Sequence, residues 1–255
     1  METNEAVQSP ATVRSLERAF EILRILRETS VPLRLSDVAR ESGNHLATTQ
    51  RIMNVLVRAG YVVHEGGGYS MGVTSLLNAH TYLVSNSLIR VAMPVVQELV
   101  ATTGFTASLS VRVEMKQILL LRIEGPSPLR YQLPVGEPMP LHLGGARVLA
   151  AALESMELEE LLREIPTIRL ADGETLTHDQ FVESLRIIRE QGHVCSYSQR
   201  EFGAASAAAP VHDRDGLVIA SLQVSGLAED FDETKMNWCV AELKRASAGI
   251  KKRFP

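Results

Sequence analysis

Between Leu35 and Met71 the spacing of apolar residues changes from every three or four positions to every second one, which marks two helices followed by a hairpin. Leu35, Val38 and Ala39 make one short apolar stripe, with Ser36 the expected N-cap and Gly43 the expected left-handed stop. A second helix is expected from about His45 to Ala59, with Thr49, Ile52, Leu56 and Ala59 facing inward. Its other side carries Ala47, Gln50, Arg51, Asn54 and Arg58. Tyr61-Val62-Val63-His64 and Tyr69-Ser70-Met71 then flank Glu65-Gly66-Gly67-Gly68, whose glycines permit a tight turn. Such a segment reads as a winged helix-turn-helix, whose second helix enters the DNA major groove. A phosphate-cradling loop is the rival reading of the glycine run, but such loops lead into a helix and bring a Lys, and neither is found here.

Upstream, Val13 to Glu28 has helical spacing, with Leu16, Ala19, Phe20, Leu23 and Leu26 on the apolar side. Downstream, helices are expected from Val73 to Val84 and from Leu88 to Thr102, separated by Ser85-Asn86-Ser87. The remainder is mixed. Strands are expected at Phe105 to Val113, Gln117 to Glu124, Leu129 to Val135, Val194 to Ser198, Ala204 to His212 and Leu217 to Ser225. Helices are expected at Gly145 to Ser155, Glu157 to Glu164, His178 to Gln191 and Asp232 to Lys252. The sum is an α+β chain: residues 10–74 a winged helix-turn-helix domain, 75–86 a linker helix, and 87–255 an antiparallel sheet domain with helices grouped on it.

Charge sharpens this picture. Residues 11–64 hold eight Arg, no Lys and five acids, a balance of +3 in a chain whose formal net charge is −4, which leaves −7 for the rest. The asymmetry fits a modest electrostatic footprint for nucleic acid on one module. As a single copy it is weak, so a homo-oligomer that doubles the phosphate contacts is expected. Two cysteines in 255 residues point to a reducing compartment. The acidic, polar N-terminus lacks signal-peptide character, and no apolar run approaches the roughly 18 residues of a membrane span. A cytoplasmic protein without membrane partners is therefore expected.

Several motifs together resemble one family. Val13-Arg14-Ser15-Leu16-Glu17-Arg18-Ala19-Phe20-Glu21-Ile22-Leu23, the helix-turn-helix with Thr48 and Gln50-Arg51, and the exit Gly68-Tyr69-Ser70-Met71-Gly72 are similar to the IclR family of bacterial transcriptional regulators. Pro140-Leu141-His142, Glu201, Gly203, Ala208-Ala209-Pro210-Val211 and Val224-Ser225-Gly226 continue the resemblance in the family's order over almost the whole chain. It implies a GAF-like effector-binding domain at residues 87–255 and a dimer or tetramer on operator DNA, responsive to a small organic acid or aromatic metabolite. Carried over by motif, Gly145, Ala146, Ser196, Ser206, Gln223 and Ser225 would line the effector pocket. Where the family has Gly-Lys after Pro-Leu-His, this chain has Gly144-Gly145-Ala146-Arg147, so Arg122, Arg130 and Arg147 become the candidate charges.

Other chemistry has thinner support. His193 and Cys195 share a strand face and His142 lies in a loop, yet no third metal ligand stands at a recognisable spacing. Ser206, His212 and Asp213 are residue types of acyl transfer, without the G-x-S-x-G elbow. Trp238 and Met236 read as packing residues of the last helix. No catalytic residue and no cofactor is expected. Gln50, Asn54 and Ala47 are the candidates for reading bases, and Arg51, Arg58 and Thr48 for holding the backbone. The alternative is a small-molecule-binding or enzymatic GAF-like protein whose winged helix makes protein contacts; a structural nucleoid protein fits the acidic second half poorly.

Overall fold

A computed structural model describes residues 12–126 and 133–254. The chain divides into two compact units, residues 1–84 and 85–255.

In the first unit, α1 (Thr12–Arg27), α2 (Leu35–Glu41) and α3 (Leu46–Arg58) are followed by β1 (Val62–Glu65), β2 (Gly68–Met71) and α4 (Thr74–Ser85). Its core joins Ile22 and Leu26 of α1 to Val38, Met53, Leu56, Val62 and Tyr69. The core uses the C-terminal half of α1: Ile22, Ile25 and Leu26 are buried, whereas Leu16 and Phe20, expected on the apolar side, are exposed. On α3 the buried stripe is Thr49, Met53 and Leu56; Ala59 is exposed because it is already the C-cap. Ser36 does not cap α2. Leu33 is clamped to the hairpin by reciprocal backbone bonds with Tyr69 (2.9 and 2.7 Å), so the helix starts one residue before Ser36, with Arg34 at the cap position. At its far end, the Gly43 N–H donates to Arg40 and the Asn44 N–H to Ala39 (3.3 and 3.1 Å) while Gly43 sits at φ +63°, a Schellman stop. β1 and β2 pair antiparallel from Val62↔Met71 to Glu65↔Gly68.

The second unit is built on a six-stranded antiparallel sheet. Its strands are β3 (Thr106–Val113), β4 (Lys116–Ile123), β5 (Pro138–Pro140), β8 (Val194–Tyr197), β9 (Ala204–His212) and β10 (Val218–Leu227), in the order β5-β4-β3-β10-β9-β8. A two-strand pair, β6 (Ile168–Arg169) and β7 (Thr175–Leu176), stands apart. Helices α5 (Ser87–Thr103) and α9 (Glu233–Arg253) cover one face of the large sheet, burying Leu88, Val96, Leu99, Leu243 and Ile250 against Ala107, Leu109, Ala207, Leu222 and Val224. Alanines at 205, 207 and 209 let α9 approach β9 closely. A second core gathers α6 (Arg147–Ala150), α7 (Ser155–Glu164) and α8 (His178–Gln191) around Phe181 and Leu185. α8 opens with a capping box between Thr177 and Gln180 and closes at Gly192.

Two further expectations are corrected, and one strand carries an irregularity. The helix expected over Gly145 to Ser155 is a 3-10 turn at Gly144–Ala146 running into a single α turn that ends at Ala150. Of the strand expected from Leu129 to Val135, residues 129–132 lie outside the described residues and Leu133 to Val135 are not extended in the sheet; the edge strand is Pro138–Pro140. Finally, β4 carries a bulge. Leu119 and Leu121 pair with the consecutive residues Ser110 and Leu109, leaving Leu120 extra, so faces exchange between Leu119 and Arg122.

Two glycines test this description. At Gly72 a Cβ would overlap the Gly60 carbonyl oxygen and come within 2.9 Å of the Tyr61 carbonyl carbon. Gly72→Ala is therefore expected to destabilise the first unit by about 1–3 kcal/mol. Gly43→Ala is expected to cost about 1–2 kcal/mol and Gly43→Asn less, since Asn tolerates the left-handed region. Scanning calorimetry of the full chain, which resolves separate transitions, checks both; an unchanged profile for Gly72→Ala contradicts the packing described.

Candidate functional site

The outward side of α3 gathers the residues expected to read DNA. Ala47, Arg51, Asn54 and Arg58 are exposed, and Thr48 and Gln50 are half-buried. The Gln50 amide donates to Asn54 Oδ1 (2.9 Å) and lies 3.4 Å from the Tyr69 hydroxyl, so the two amides form a chain that ends on the hairpin. The His64 ring stacks on Tyr69 with centroids 4.2 Å apart. Tyr69 was not singled out in the sequence, because its link to α3 spans the hairpin. On α1 and α2, Arg24 pairs with Glu21 and Glu28, and Arg40 with Asp37. Arg51 and Arg58 form no ion pair among the described residues, so their charge is directed to solvent. A polar helix face with two free cations and two amides, next to a hairpin, has the chemistry of phosphate and base-edge contact.

The second unit holds a cavity of about 50 Å³ on the sheet face turned away from α5 and α9. Antiparallel partners share a face, which explains its lining. Ser196↔Ser206↔Ser225 cross β8, β9 and β10 in one row, and Gln223↔Ser108↔Arg122 cross β10, β3 and β4 in the next. Ser110 and Gln117 complete the polar wall, and Leu119, Leu133 and Met139 form an apolar one. Gln199, Arg200 and Glu201, between β8 and β9, border it. The Ser196 and Ser206 hydroxyls hydrogen-bond at 2.8 Å. The serines, Gln117, Leu119, Arg122, Met139 and Gln223 sit on strands, so their orientation is set by sheet register.

Of the residues carried over by motif, Ser196, Ser206, Gln223 and Ser225 line this cavity. Gly145 and Ala146 do not. Gln223 packs directly on Gly145, where a Cβ would overlap its side-chain oxygen and lie 2.9 Å from Ala208 Cβ, and Ala146 is fully buried. Gly144 lines the cavity in their place, its N–H donating to Gln199 Oε1 (3.2 Å). Arg147 is turned elsewhere, 3.4 Å from both the Gly144 carbonyl and Ser184 Oγ, and burial pushes its pKa down to about 10. Arg130 lies outside the described residues. Arg122 lines the cavity, and burial pulls its pKa below the ordinary value, partly offset by Glu124. Ser108, Ser110 and Gln117 were missed, although Thr106, Ser108 and Ser110 recur at strand period in the sequence.

The rival chemistries find little geometry. No group of three His, Cys, Asp or Glu side chains able to hold a metal occurs among the described residues. His193 Nδ1 faces the Gln191 carbonyl at 3.1 Å, and burial raises the Cys195 thiol pKa. Ser206 is partnered by Ser196, and His212 lies six residues further along β9, about 20 Å away. Met236 is buried, and Trp238 is partly exposed on α9.

Comparison with known proteins places this geometry in a family. Residues 80–252 match the C-terminal region of bacterial transcriptional regulator IclR, and residues 15–66 match the IclR helix-turn-helix domain. The HTH-type transcriptional regulator XynR of Escherichia coli is 25% identical over 241 residues, covering 93% of this chain and 96% of that protein. The glycerol operon regulatory protein of Streptomyces coelicolor is 28% identical, with 85% and 86% covered. An IclR homolog from Microbacterium hydrocarbonoxydans, crystallised with 4-hydroxybenzoate, shares the fold at a TM-score of 0.73, with 20% identity over 94% of this chain and 98% of that one. The winged helix, the antiparallel sheet domain and the matches across both units lead to one conclusion: the chain belongs to the IclR family of bacterial transcriptional regulators, whose role is not enzymatic.

Proposed function

We propose that this protein is a ligand-responsive regulator that binds operator DNA through α3 and its hairpin and senses a small metabolite in the sheet-face cavity, controlling a catabolic operon in the cytoplasm. The observation that carries the reading is the polar side of α3, where Gln50 and Asn54 are held in one hydrogen-bonded chain beside unpaired Arg51 and Arg58. Gln50, Asn54 and Ala47 read base edges; Arg51, Arg58, Thr48 and the hairpin hold phosphates. Residues 10–74 serve as the DNA-binding domain, 75–86 as the linker and 87–255 as the effector domain.

A small, polar-walled cavity at strand ends has the form of a metabolite site, with Ser196, Ser206, Gln223 and Ser225 among its contacts. The Microbacterium homolog's 4-hydroxybenzoate lends weight to an organic acid as the class of effector. The working form is a homodimer or a tetramer. Two copies supply the phosphate contacts that a +3 module lacks, and the exposed Leu16, Phe20, Leu76 and Leu77 on α1 and α4 are apolar surface of the sort that subunit contacts cover.

Binding to operator and random DNA over a salt series tests the division of labour. Asn54→Ala or Gln50→Ala is expected to lose about 1–3 kcal/mol of discrimination per half-site with little change in salt slope. Arg51→Ala is expected to weaken both DNAs alike and to lower the slope by about 1 per copy. Equal binding of every DNA by the oligomer, or turnover of a small molecule without DNA, contradicts the reading. Sedimentation of the free protein is expected to give a dimer or tetramer; a monomer at micromolar concentration contradicts the oligomeric part.

A further inference from the structure

Gln50 uses both hydrogens of its amide inside the protein. Nε2 donates to Asn54 Oδ1 at 2.9 Å and to the Tyr69 hydroxyl at 3.4 Å, and an amide nitrogen has no third hydrogen to give. The first of these bonds also engages the side-chain oxygen of Asn54. What remains for a partner therefore differs between the two residues. Gln50 Oε1 and Asn54 Nδ2 form no hydrogen bond among the described residues, so Gln50 presents only an acceptor and Asn54 presents its donors.

Tyr69 holds this polarity. A free glutamine amide turns about its last bond and offers either end, whereas this one has an acceptor fixed beside its nitrogen. The tyrosine is 7% exposed and packed in the core of the first unit, its backbone bonded both ways to Leu33 and its ring stacked on His64 at an interplanar angle of 17°. At Gly68, the residue before it, an added Cβ would come within 2.6 Å of Pro32 Cβ, so the hairpin lies hard against the segment leading into α2 and the ring stays beside α3. A phenylalanine would fill the same space. Only the hydroxyl reaches Gln50.

In the major groove the four bases divide by what they show at the exocyclic position. Adenine and cytosine show an amino donor, N6 or N4, and guanine and thymine a keto acceptor, O6 or O4. An acceptor-only Gln50 bonds to the first kind and meets the second lone pair to lone pair.

We propose that Tyr69 is a positioning residue for base reading: by fixing Gln50 as an acceptor, it makes the protein select an amino base, adenine or cytosine, at the position Gln50 faces. Beside it Asn54 Nδ2 donates to a base acceptor such as purine N7. The inference rests on the base-reading role of Gln50 given above, and adds the class of base and the hairpin residue that sets it.

Competition titrations of the full-length protein test this on a duplex, taken from the DNA flanking its own gene, that the wild type binds selectively. Single base-pair changes find the position at which discrimination is lost in Gln50→Ala. Base analogues then remove one group there at a time, either the amino group of its adenine or cytosine or the keto oxygen of the opposite thymine or guanine. The wild type is expected to lose about tenfold in affinity without the amino group and less than about threefold without the oxygen. Tyr69→Phe is expected to bring the two losses within about threefold of each other while random-DNA affinity and salt slope stay unchanged, a pattern that general loosening of the first unit would not give. Gln50→Glu, an acceptor with no N–H, is expected to keep the amino requirement with or without Tyr69→Phe. A larger loss on removing the oxygen, an unchanged pattern in Tyr69→Phe, or no position that depends on Gln50 overturns the proposal and leaves the regulator reading standing. Absence of any selectively bound duplex overturns both.

Discussion

A six-stranded sheet with helices on one side has to do something with its other face. Here that constraint organises the whole second unit. Ala107, Leu109, Ala207, Leu222 and Val224 alternate inward onto α5 and α9, and because side chains reverse at every residue, the intervening positions turn to the opposite face. There the sequence places Ser108, Ser110, Ser206, Gln223 and Ser225, and no helix seals that row completely. A purely structural sheet of this size would fill such positions with aliphatic residues. Hydroxyls and amides in register across four strands make a surface that is half core and half open polar wall, and the rigidity of the dry face holds it in place.

The same logic operates on a smaller scale in the first unit. α3 buries Thr49, Met53 and Leu56, which leaves Gln50, Arg51, Asn54 and Arg58 pointing away from the core. The hairpin is locked to the segment leading into α2 through Leu33 and Tyr69, and Tyr69 in turn reaches Gln50. The segment before α2, α3 and the hairpin are thus one mechanical piece. The fold keeps the polar groups oriented before any partner arrives, which lowers the ordering cost of binding.

Long periodic elements were legible in the sequence. α8 begins and ends where its spacing places it, because a capping box and a terminal glycine bracket a strong apolar stripe. β9 matches its expected bounds as well, with the Asp213 to Gly216 turn behind it. What escaped was set by contacts between distant segments. Ser36 loses the cap position because Leu33 is held by the hairpin, and Leu16 and Phe20 are exposed because α1 meets its neighbours only through its second half. The two-residue strands β6 and β7 are too short for any period to register. In the cavity, the four strand residues Ser196, Ser206, Gln223 and Ser225 followed from alternation and family resemblance together. Gly145 fell outside because Gln223 covers it. Arg122 could be named as a possible charge but not aimed, since the bulge that turns it appears only when β4 is laid against β3.

The central claim of the proposed function is that one chain couples a DNA-contacting helix to a ligand-binding sheet face. Anisotropy titration of the full-length protein against the DNA flanking its own gene, with and without a panel of small organic acids and aromatic metabolites, tests it most directly. The account predicts sequence-selective binding whose midpoint moves with one of these compounds in the wild type and stays fixed in Gln223→Ala. Selective binding that no compound shifts, or a shift that persists in Gln223→Ala, would contradict it.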